Sequence, residues 1–322
     1  MVNDRSGIEP AGLPGDQGED GSVTRIKDIL RPLDFAAQGG SAILGFASDE
    51  GVRRNHGRPG AARGPAAIRN MLKRFPVHRP VSLYEAGDVA CTEGDLEGSQ
   101  DRLAEHIATL LGRDIRPVVL GGGHEIAYGS FLGLTKHLGD RLASTNVLIV
   151  NFDAHFDLRR APRPNSGTPF RQIAELCAAR GAAFRYLCFG ISELANTSAL
   201  FERADILGVE YRLDEEMRAS ALADIREMLQ KRMASVDKIY LSIDLDVLPA
   251  GVAPGVSAPA ARGVALEIIE DLVDEIVSSE KLALADIAEL NPLLDRDDQT
   301  ARIAARLAYR LAVGPRRAWR HP

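Results

Sequence analysis

Short apolar runs of the β type alternate along this 322-residue chain with stretches whose apolar residues repeat at helical spacing. The spacing predicts amphipathic helices between the runs, for example at 99–112 and 264–279. Strands separated by helices of this length need crossover connections and form a parallel sheet that is covered on both faces. The sequence therefore predicts an α/β fold with a mainly parallel sheet of about eight strands. We predict these strands at 41–46, 82–87, 117–122, 146–153, 184–190, 204–209, 238–244 and 282–290.

One domain is expected after a short leader. Residues 1–22 hold five glycines and five acids, with hardly any large apolar side chain whose burial offsets the entropy of ordering. No linker rich in Pro, Gly or Ser interrupts the chain after residue 40. We therefore predict a flexible leader over 1–22 and a single catalytic domain over 23–322.

Charge and hydropathy exclude several classes of partner. Lys and Arg number 39 against 45 Asp and Glu, so the formal charge is -6, and no basic stripe is present to bind nucleic acid. No run of 18 or more apolar residues and no signal-peptide pattern occurs. Cys91, Cys177 and Cys188 form an odd set without metal-binding spacing, which is typical of buried, reduced thiols. We expect a cytoplasmic protein that binds neither nucleic acid nor membrane.

The segment NFDAHFDLR at 151–159 follows an apolar strand and places Asp153, His155 and Asp157 at alternate positions. An extended backbone points all three side chains the same way. Buried carboxylates that converge repel one another unless a cation lies between them, so the pattern favours a metal site. The alternative is structural, with the aspartates capping the next helix and His155 lying in the core.

Two further predicted strands end in the same way. SIDLDVLPAGVAPG at 242–255 places Asp244 and Asp246 two residues apart, and PVVLGGGHE at 117–125 passes through three glycines to His124. Glycines allow the backbone to turn sharply and to approach a site closely. Ligands of open α/β sheets bind at the carboxyl ends of the strands, where these three segments meet. Two histidines and four aspartates are therefore expected at one site.

Six such ligands indicate two metal ions. A catalytic zinc uses three protein ligands, whereas six suit two ions that share carboxylates about 3.5–4 Å apart. Oxygen-rich ligation with some imidazole favours manganese, although affinity order alone favours zinc or copper. A metal pair lowers the pKa of a water between the ions, so the predicted reaction class is metal-assisted hydrolysis.

The blocks GGGHE, NFDAHFDLR and SIDLDVLPAGVAPG resemble the three signature blocks of the ureohydrolases, a family that includes arginase, agmatinase and formiminoglutamase. The resemblance covers residues 40 to about 314. It implies a three-layer α/β/α fold, arginase-like, with two manganese ions per chain. The ligands implied for one ion are His124, Asp153, Asp157 and Asp244, and those for the other are Asp153, His155, Asp244 and Asp246. Asp153 and Asp244 would bridge the two ions.

Within the family, three details resemble formiminoglutamases, which hydrolyse N-formimino-L-glutamate to L-glutamate and formamide in histidine degradation. GGGHE replaces the GGDHS of arginases and agmatinases, DEGVRRNHGRPGA at 49–61 resembles the formiminoglutamase amino-terminal block, and SGTPFRQ at 166–172 follows the second metal motif. Arginases and agmatinases also carry a histidine after that motif that aids proton transfer, but this chain has none between His155 and His321. The proton donor is therefore unassigned.

Two rival interpretations stay open. The first is a hydrolase of a guanidine such as agmatine or guanidinobutyrate that releases urea, and the second is a non-catalytic metal-binding homologue.

Related enzymes form trimers and hexamers, so the resemblance implies a homo-oligomer that acts on a small molecule.

The resemblance also assigns residues outside the metal motifs. Asp157, which lies in the NFDAHFDLR block, and Glu289 are the expected catalytic residues. Glu289 in DIAELNP matches the family's amidine-binding acid. Two substrate carboxylates call for arginines, and the candidates are Arg53, Arg54, Arg58 and Arg171, with Arg159 and Arg160 also nearby. Glu125 either orients a metal ligand or starts the next helix. His56 is a further candidate for the pocket wall.

Overall fold

Nine parallel strands form one sheet in the computed structural model, which describes residues 23–314. They are β1 (Leu30–Pro32), β2 (Ser41–Ala47), β3 (Leu83–Ala90), β4 (Arg116–Leu120), β5 (Val147–Phe152), β6 (Tyr186–Ile191), β7 (Glu210–Leu213), β8 (Lys238–Asp244) and β9 (Leu282–Ala288). Their order across the sheet is β1-β3-β2-β4-β9-β8-β5-β6-β7. The four strands β4, β9, β8 and β5 are therefore consecutive neighbours in the middle of the sheet.

Helices cover both faces of this sheet. They are α1 (Ile26–Ile29), α2 (Glu50–Arg54), α3 (Gly64–Leu72), α4 (Leu96–Leu111), α5 (Ile126–Leu138), α6 (Pro169–Ala179), α7 (Ser198–Ile206), α8 (Leu222–Ala234), α9 (Leu266–Ser278) and α10 (Gln299–Val313). Helices α3, α8, α9 and α10 share one hydrophobic core with the sheet, and α4 to α7 share the other. The three-layer α/β/α prediction is confirmed.

Alternation along the strands explains why both faces are apolar. In β5, Leu148, Val150 and Phe152 face the first core, while Val147 and Ile149 face the second. Successive side chains of a strand point to opposite faces, so a strand that is covered on both sides is apolar throughout. This is why the buried strands were readable from the sequence as continuous runs.

The strand predicted at 204–209 is wrong. These residues form the end of α7 and a turn, in which Gly208 adopts a φ of +66° and the amide of Val209 donates to the carbonyl of Ala204. A glycine in this conformation commonly ends a helix. The strand of this region, β7, starts only at Glu210.

The prediction of about eight strands also missed β1. This edge strand has three residues, one of them Pro32, and none of the three is fully buried. Edge strands with proline carry no apolar pattern that a sequence can reveal.

The predicted leader at 1–22 lies outside the described residues, as does the basic end of the chain after Gly314. The single-domain prediction stays a prediction, although all nine strands between 23 and 314 belong to the same sheet. Within this range, every helix is too short or too polar to cross a membrane.

Candidate metal centre

The loops that carry the predicted ligands leave three of the four central strands, β4-β9-β8-β5, at their carboxyl ends. His124 follows β4, Asp153 follows β5, and Asp244 is the last residue of β8. All three side chains are almost completely buried, with 0–3% of their surface exposed. The parallel sheet thus brings together three segments that are far apart in the sequence.

The same local turn occurs at the ends of β5 and β8. Asp153 Oδ1 accepts a hydrogen bond of 2.6 Å from the amide of His155, and Asp244 Oδ1 accepts one of 2.8 Å from the amide of Asp246. Aspartate readily forms this turn with the backbone two residues further on. Each turn aims a second side chain, His155 or Asp246, towards the same space.

The glycines before His124 let the backbone enter a crowded site. A Cβ atom on Gly122 would lie 1.6 Å from the carbonyl oxygen of Ser48, so no other residue fits there. The amide of Gly122 donates to Phe46, and its carbonyl accepts from the amide of Glu289. This arrangement confirms the sharp turn and close approach that the three glycines predicted.

His124 Nδ1 faces three carboxylates at once. It lies 3.1 Å from Asp153 Oδ2, 3.0 Å from Asp157 Oδ2 and 3.0 Å from Asp244 Oδ2. These are the four residues implied as ligands of the first ion. Such a set of acceptor atoms around a common point is the arrangement that a divalent cation needs.

A second group of acceptor atoms adjoins the first. His155 Nδ1 lies 3.1 Å from Asp246 Oδ2 and 3.4 Å from Asp153 Oδ1. The two oxygens of Asp153 therefore face different imidazoles, as expected of a carboxylate shared by two ions. Asp244 differs, because only its Oδ2 pairs with an imidazole, that of His124, while its Oδ1, like that of Asp153, accepts from a backbone amide.

A hydrogen-bond chain behind His124 fixes which ring nitrogen carries the proton. Ser242 Oγ donates to Asp286 Oδ1 at 2.6 Å, so it accepts from His124 Nε2 at 2.9 Å. Tyr240 donates to the other oxygen of Asp286 at 2.6 Å. With the proton on Nε2, Nδ1 presents a lone pair to the three carboxylates, and it has no hydrogen-bond partner in the structure. Lone pairs facing carboxylates need a cation, so these residues fit a metal ion.

Burial and mutual repulsion raise the pKa values of Asp157, Asp244 and Asp246, whereas the pKa of Asp153 is lowered because the hydrogen bonds and charges of His124 and His155 outweigh its burial. Burial raises the pKa of Asp244 to about 7, with repulsion from Asp246 and Asp153 adding to it. Burial and the charge of Asp153 raise the pKa of Asp157 to about 6. Acids with raised pKa values at the end of a buried sheet are costly to ionise, and a cation between them removes that cost.

Asp157, a predicted ligand, and Glu289 hold unusual backbone conformations at this centre. Their φ angles are +50° and +70°, in the left-handed region that residues other than glycine seldom adopt. Glu289 Oε1 accepts a hydrogen bond of 2.9 Å from the amide of His124, which ties the end of β9 to the ligand loop. Backbone strain of this kind is concentrated at functional sites. Burial, followed by the charges of Asp244 and Glu125, raises the pKa of Glu289 well above its usual value.

A cleft of about 350 Å³ opens onto these residues. Besides five of the six predicted ligands and Glu289, its wall includes His56, Arg58 and Arg159. A second lobe of about 530 Å³ shares His155 with this cleft and is lined by Glu193, Asp214, Glu215 and Arg262. The second lobe therefore carries three acids and one arginine, whereas two arginines lie in the cleft beside the acids of the predicted metal centre. Sequence reasoning missed the second lobe because its acids have no motif.

Only Arg58 of the four arginines predicted to bind substrate reaches the cleft wall. Arg53, with 58% of its side chain exposed, pairs with Asp49 and Glu50. Arg54 pairs with Glu50 and Glu97, which fixes the loop rather than the cleft. Arg171 pairs with Glu175 and donates to the carbonyl of Arg159. The ion pairs of these three side chains, which lie in α2 and α6, favour a structural role beside the site.

Within the described residues, the Glu125 side chain makes no hydrogen bond to a predicted metal ligand, which favours the alternative interpretation of this residue. Its Oε1 accepts hydrogen bonds from Ser48 Oγ at 2.8 Å and from the amide of Gly51 at 2.9 Å. Neither ring nitrogen of His124 bonds to it, because Ser242 occupies the position behind the imidazole. Glu125 lies directly before α5, as the alternative interpretation expected.

Comparison with known proteins agrees with this geometry. Formimidoylglutamase of Ralstonia nicotianae is 53% identical over 293 residues, which are 91% of this chain and 89% of that protein. The enzyme of the same name from Aeromonas salmonicida is 54% identical over 87% of this chain and 88% of its own length.

Solved structures agree as well. Formimidoylglutamase of Bacillus subtilis superposes with a TM-score of 0.82 at 26% identity, over 94% of this chain and 95% of that one. Trypanosoma cruzi formiminoglutamase with Mn2+ gives a TM-score of 0.78 at 27% identity, over 91% and 98% of the two chains. The family model described as the arginase family matches residues 40–314. With the predicted fold and the histidine–aspartate centre both in place, this chain belongs to the arginase family.

Proposed function

We propose that this protein is a formimidoylglutamase, which hydrolyses N-formimino-L-glutamate to L-glutamate and formamide with two manganese ions. The observation that carries the proposal is the juxtaposition, in one cleft, of the His124 and His155 acceptor groups with the free guanidinium of Arg159. Relatives of that name at about half identity over most of the chain support it.

The two acceptor groups would hold the ions. One ion would lie among His124, Asp153, Asp157 and Asp244, and the other among Asp153, His155, Asp244 and Asp246. When bound, such a pair supplies Lewis acidity and makes a water nucleophilic at neutral pH. Ser242 and Asp286 keep the imidazole of His124 in the tautomer that can act as a ligand.

Glu289 and Asp157 would act on the substrate and the water. The formimino group is a protonated amidine, and the Glu289 carboxylate faces the same cleft as the metal ligands, so it can hold this cation against them. Asp157 directs Oδ2 at His124, and its side chain is 10% exposed at the cleft. Its remaining oxygen can accept a proton from the attacking water.

Arg58 and Arg159 would bind the two carboxylates of the glutamate moiety. Arg58 Nε and Nη2 donate to the carbonyls of Ser257 and Val256, which holds the guanidinium in the cleft wall and leaves Nη1 for a ligand. The Arg159 guanidinium forms no hydrogen bond or ion pair within residues 23–314. A planar guanidinium matches a carboxylate with two parallel hydrogen bonds.

His56 is the proposed proton donor to the leaving nitrogen. It is exposed in the cleft, and the other two histidines of the cleft wall, His124 and His155, belong to the metal-binding groups. A positioned histidine typically contributes about 10²–10⁴-fold to a hydrolytic rate.

A guanidine with a cationic tail is the second candidate substrate. The acidic second lobe favours it, since Glu193, Asp214 and Glu215 line that lobe and Arg262 is the one cation among its lining residues. Agmatine would place its amine there, whereas formiminoglutamate would place its carboxylates beside Arg58 and Arg159.

Turnover of a substrate panel by the manganese-loaded protein decides between the two. We expect kcat/KM for N-formimino-L-glutamate to exceed that for agmatine, guanidinobutyrate and arginine by orders of magnitude. If agmatine is the better substrate, the dicarboxylate assignment is abandoned. Absence of turnover with every member, in protein that retains two metals, would instead support the non-catalytic interpretation.

Single substitutions of the arginines test the binding mode. Arg159→Ala and Arg58→Ala should each raise KM for formiminoglutamate, with a loss in kcat/KM of about 10²-fold or more, because a charge pair left half-made costs about 3–5 kcal/mol. Arg53→Ala is the matched control, since that side chain is exposed and lies outside the cleft wall. Metal content should not change. Equal effects of all three substitutions would contradict the assignment.

Location in the cytoplasm and assembly into a homo-oligomer complete the proposal. The buried, unpaired thiols of Cys177 and Cys188 support a reducing compartment. The oligomer rests on the family resemblance alone, and light scattering of the purified protein tests it.

A further inference from the structure

A cavity of about 650 Å³ lies at the amino ends of the central strands, away from the metal centre. The first residues of four neighbouring strands line it, namely Ser41 of β2, Arg116 of β4, Leu282 of β9 and Lys238 of β8. The ligand loops leave the opposite ends of these strands. A strand of seven residues such as β8 is about 20 Å long, so a molecule in this cavity does not touch the metal centre.

The inner wall of this cavity is basic. Four basic side chains contribute from four different segments, and all are half-buried: Arg79, Arg116, His137 and Lys238. The two acids of the lining, Asp114 and Glu280, are exposed instead. Positive charge is therefore concentrated inside the cavity of a protein whose net charge is -6.

Two of these cations have no carboxylate partner within the described range. Arg116 donates only to backbone carbonyls, from Nε to Leu282 at 3.2 Å and from Nη1 to Leu311 at 3.4 Å. Burial lowers the pKa of Arg116, and no acid offsets this. The Lys238 ammonium forms no ion pair or hydrogen bond in residues 23–314. Partly dehydrated cations without a counter-ion are unfavourable.

The pKa of His137 is consistent with a positive electrostatic potential in this cavity. Burial lowers its pKa, and the charges of Lys238 and Arg141 lower it further, while Asp114 acts in the opposite direction. The basic side chains are thus close enough to repel one another. An anion between them would relieve this repulsion.

Helix ends offer a competing explanation for the positive charge. Leu111, His137, Ser278 and Val313 of the cavity wall lie at the carboxyl ends of α4, α5, α9 and α10, where cations are favourable. These ends account for the bond from Arg116 to Leu311. They leave Lys238 without an acceptor.

We propose that this cavity is a binding site for a small anion with two or more negative charges, carried by carboxylate or phosphate groups. Its volume is that of a metabolite site and exceeds what one inorganic ion fills. Lys238 and Arg116 form the charged wall, and the site is independent of the proposed hydrolase activity.

Calorimetric titration of the full-length protein with inorganic phosphate and, separately, with succinate tests the proposal. We expect saturable binding of at least one probe, and the preferred probe identifies the anion chemistry. Lys238→Met should weaken binding by about tenfold or more, as expected for the loss of a charge-assisted hydrogen bond, and Lys238→Glu should abolish it. Lys231→Met, an exposed lysine on α8, is the matched control and should bind as the unaltered protein does.

Arg159→Met separates this cavity from the catalytic cleft. If that substitution removes probe binding while Lys238→Met does not, the anion binds at the cleft and the proposal is overturned. Absence of saturation by both probes up to about 10 mM also overturns it. The helix-end explanation predicts that Lys238→Met lowers the melting temperature while phosphate leaves that of the unaltered protein unchanged. That combination would likewise refute the anion site.

Discussion

Replacing Asp286 with asparagine tests how the protein fixes the tautomer of His124. In the native chain the Asp286 carboxylate accepts from Ser242 and from Tyr240, and Ser242 in turn accepts from His124 Nε2. An asparagine amide can donate to Ser242 instead. Ser242 then donates to Nε2 and leaves a proton on Nδ1, where the predicted metal ligation needs a lone pair.

The size of the effect follows from burial. His124, Ser242 and Asp286 are 0–1% exposed, so water cannot restore the lost hydrogen bonds. Outer partners of metal-bound histidines typically contribute about 10–100-fold to metal affinity. Because these residues are completely buried, we expect Asp286→Asn to lower manganese affinity by nearly 100-fold, which corresponds to about 2.7 kcal/mol of binding free energy.

Manganese affinity, measured by equilibrium dialysis with metal analysis, is the direct assay, and restoration of turnover by added manganese is the second. Tyr240→Phe is the control, because it removes one donor to Asp286 and leaves the Ser242 contact in place. We expect that control to bind manganese almost as tightly as the native protein. If folded Asp286→Asn retained native affinity, or if both variants lost affinity equally, the tautomer argument would be refuted.

Four further outcomes are expected. Chelation should abolish hydrolysis and manganese should restore it best, with two ions per active chain by metal analysis; full activity with one ion would exclude a metal pair. Asp153→Ala should lose more metal and activity than Glu125→Ala, since Asp153 faces both imidazoles whereas Glu125 faces neither; equal losses would contradict this. His56→Gln should lower kcat by about 10²-fold or more with metal content unchanged; an unaltered kcat would exclude His56 as the proton donor. Burial raises the pKa of Cys177 to about 11, so its thiol should resist alkylation at pH 8 and react only as the pH approaches that value, and rapid labelling of the native protein at pH 8 would disprove this.

The cluster of candidate metal ligands could be predicted from the sequence because the residue spacing within each motif is local information. Asp153 and His155 follow a recognisable apolar strand, and their spacing alone sets the direction of their side chains. Placing these residues next to His124 also requires that the strands are parallel, which the alternation of strands and helices predicts. The prediction of a strand at 204–209 was wrong because the local pattern is ambiguous there. A short apolar run beside a glycine fits the end of a helix as well as a strand.

The arginines show where local information ends. Arg53 and Arg58 lie five residues apart, the first in α2 and the second in the loop after it, yet only Arg58 reaches the cleft. Arg58 is held there by Ser257 and Val256, which are about 200 residues further along the chain. A flexible charged side chain follows whichever partners the fold provides, so its role is not encoded in neighbouring residues.

The sequence by itself determined the alternation of strands and helices, the apolar faces that form two cores, and the residue types at the carboxyl ends of the central strands. Only the tertiary structure decided which polar side chains form hydrogen bonds to the predicted metal ligands. Asp286 lies within an apolar strand and is paired with Ser242 only through the register of β8 and β9. That register depends on packing between segments that are distant in the chain, and a shift of one residue would turn Asp286 to the other face of the sheet.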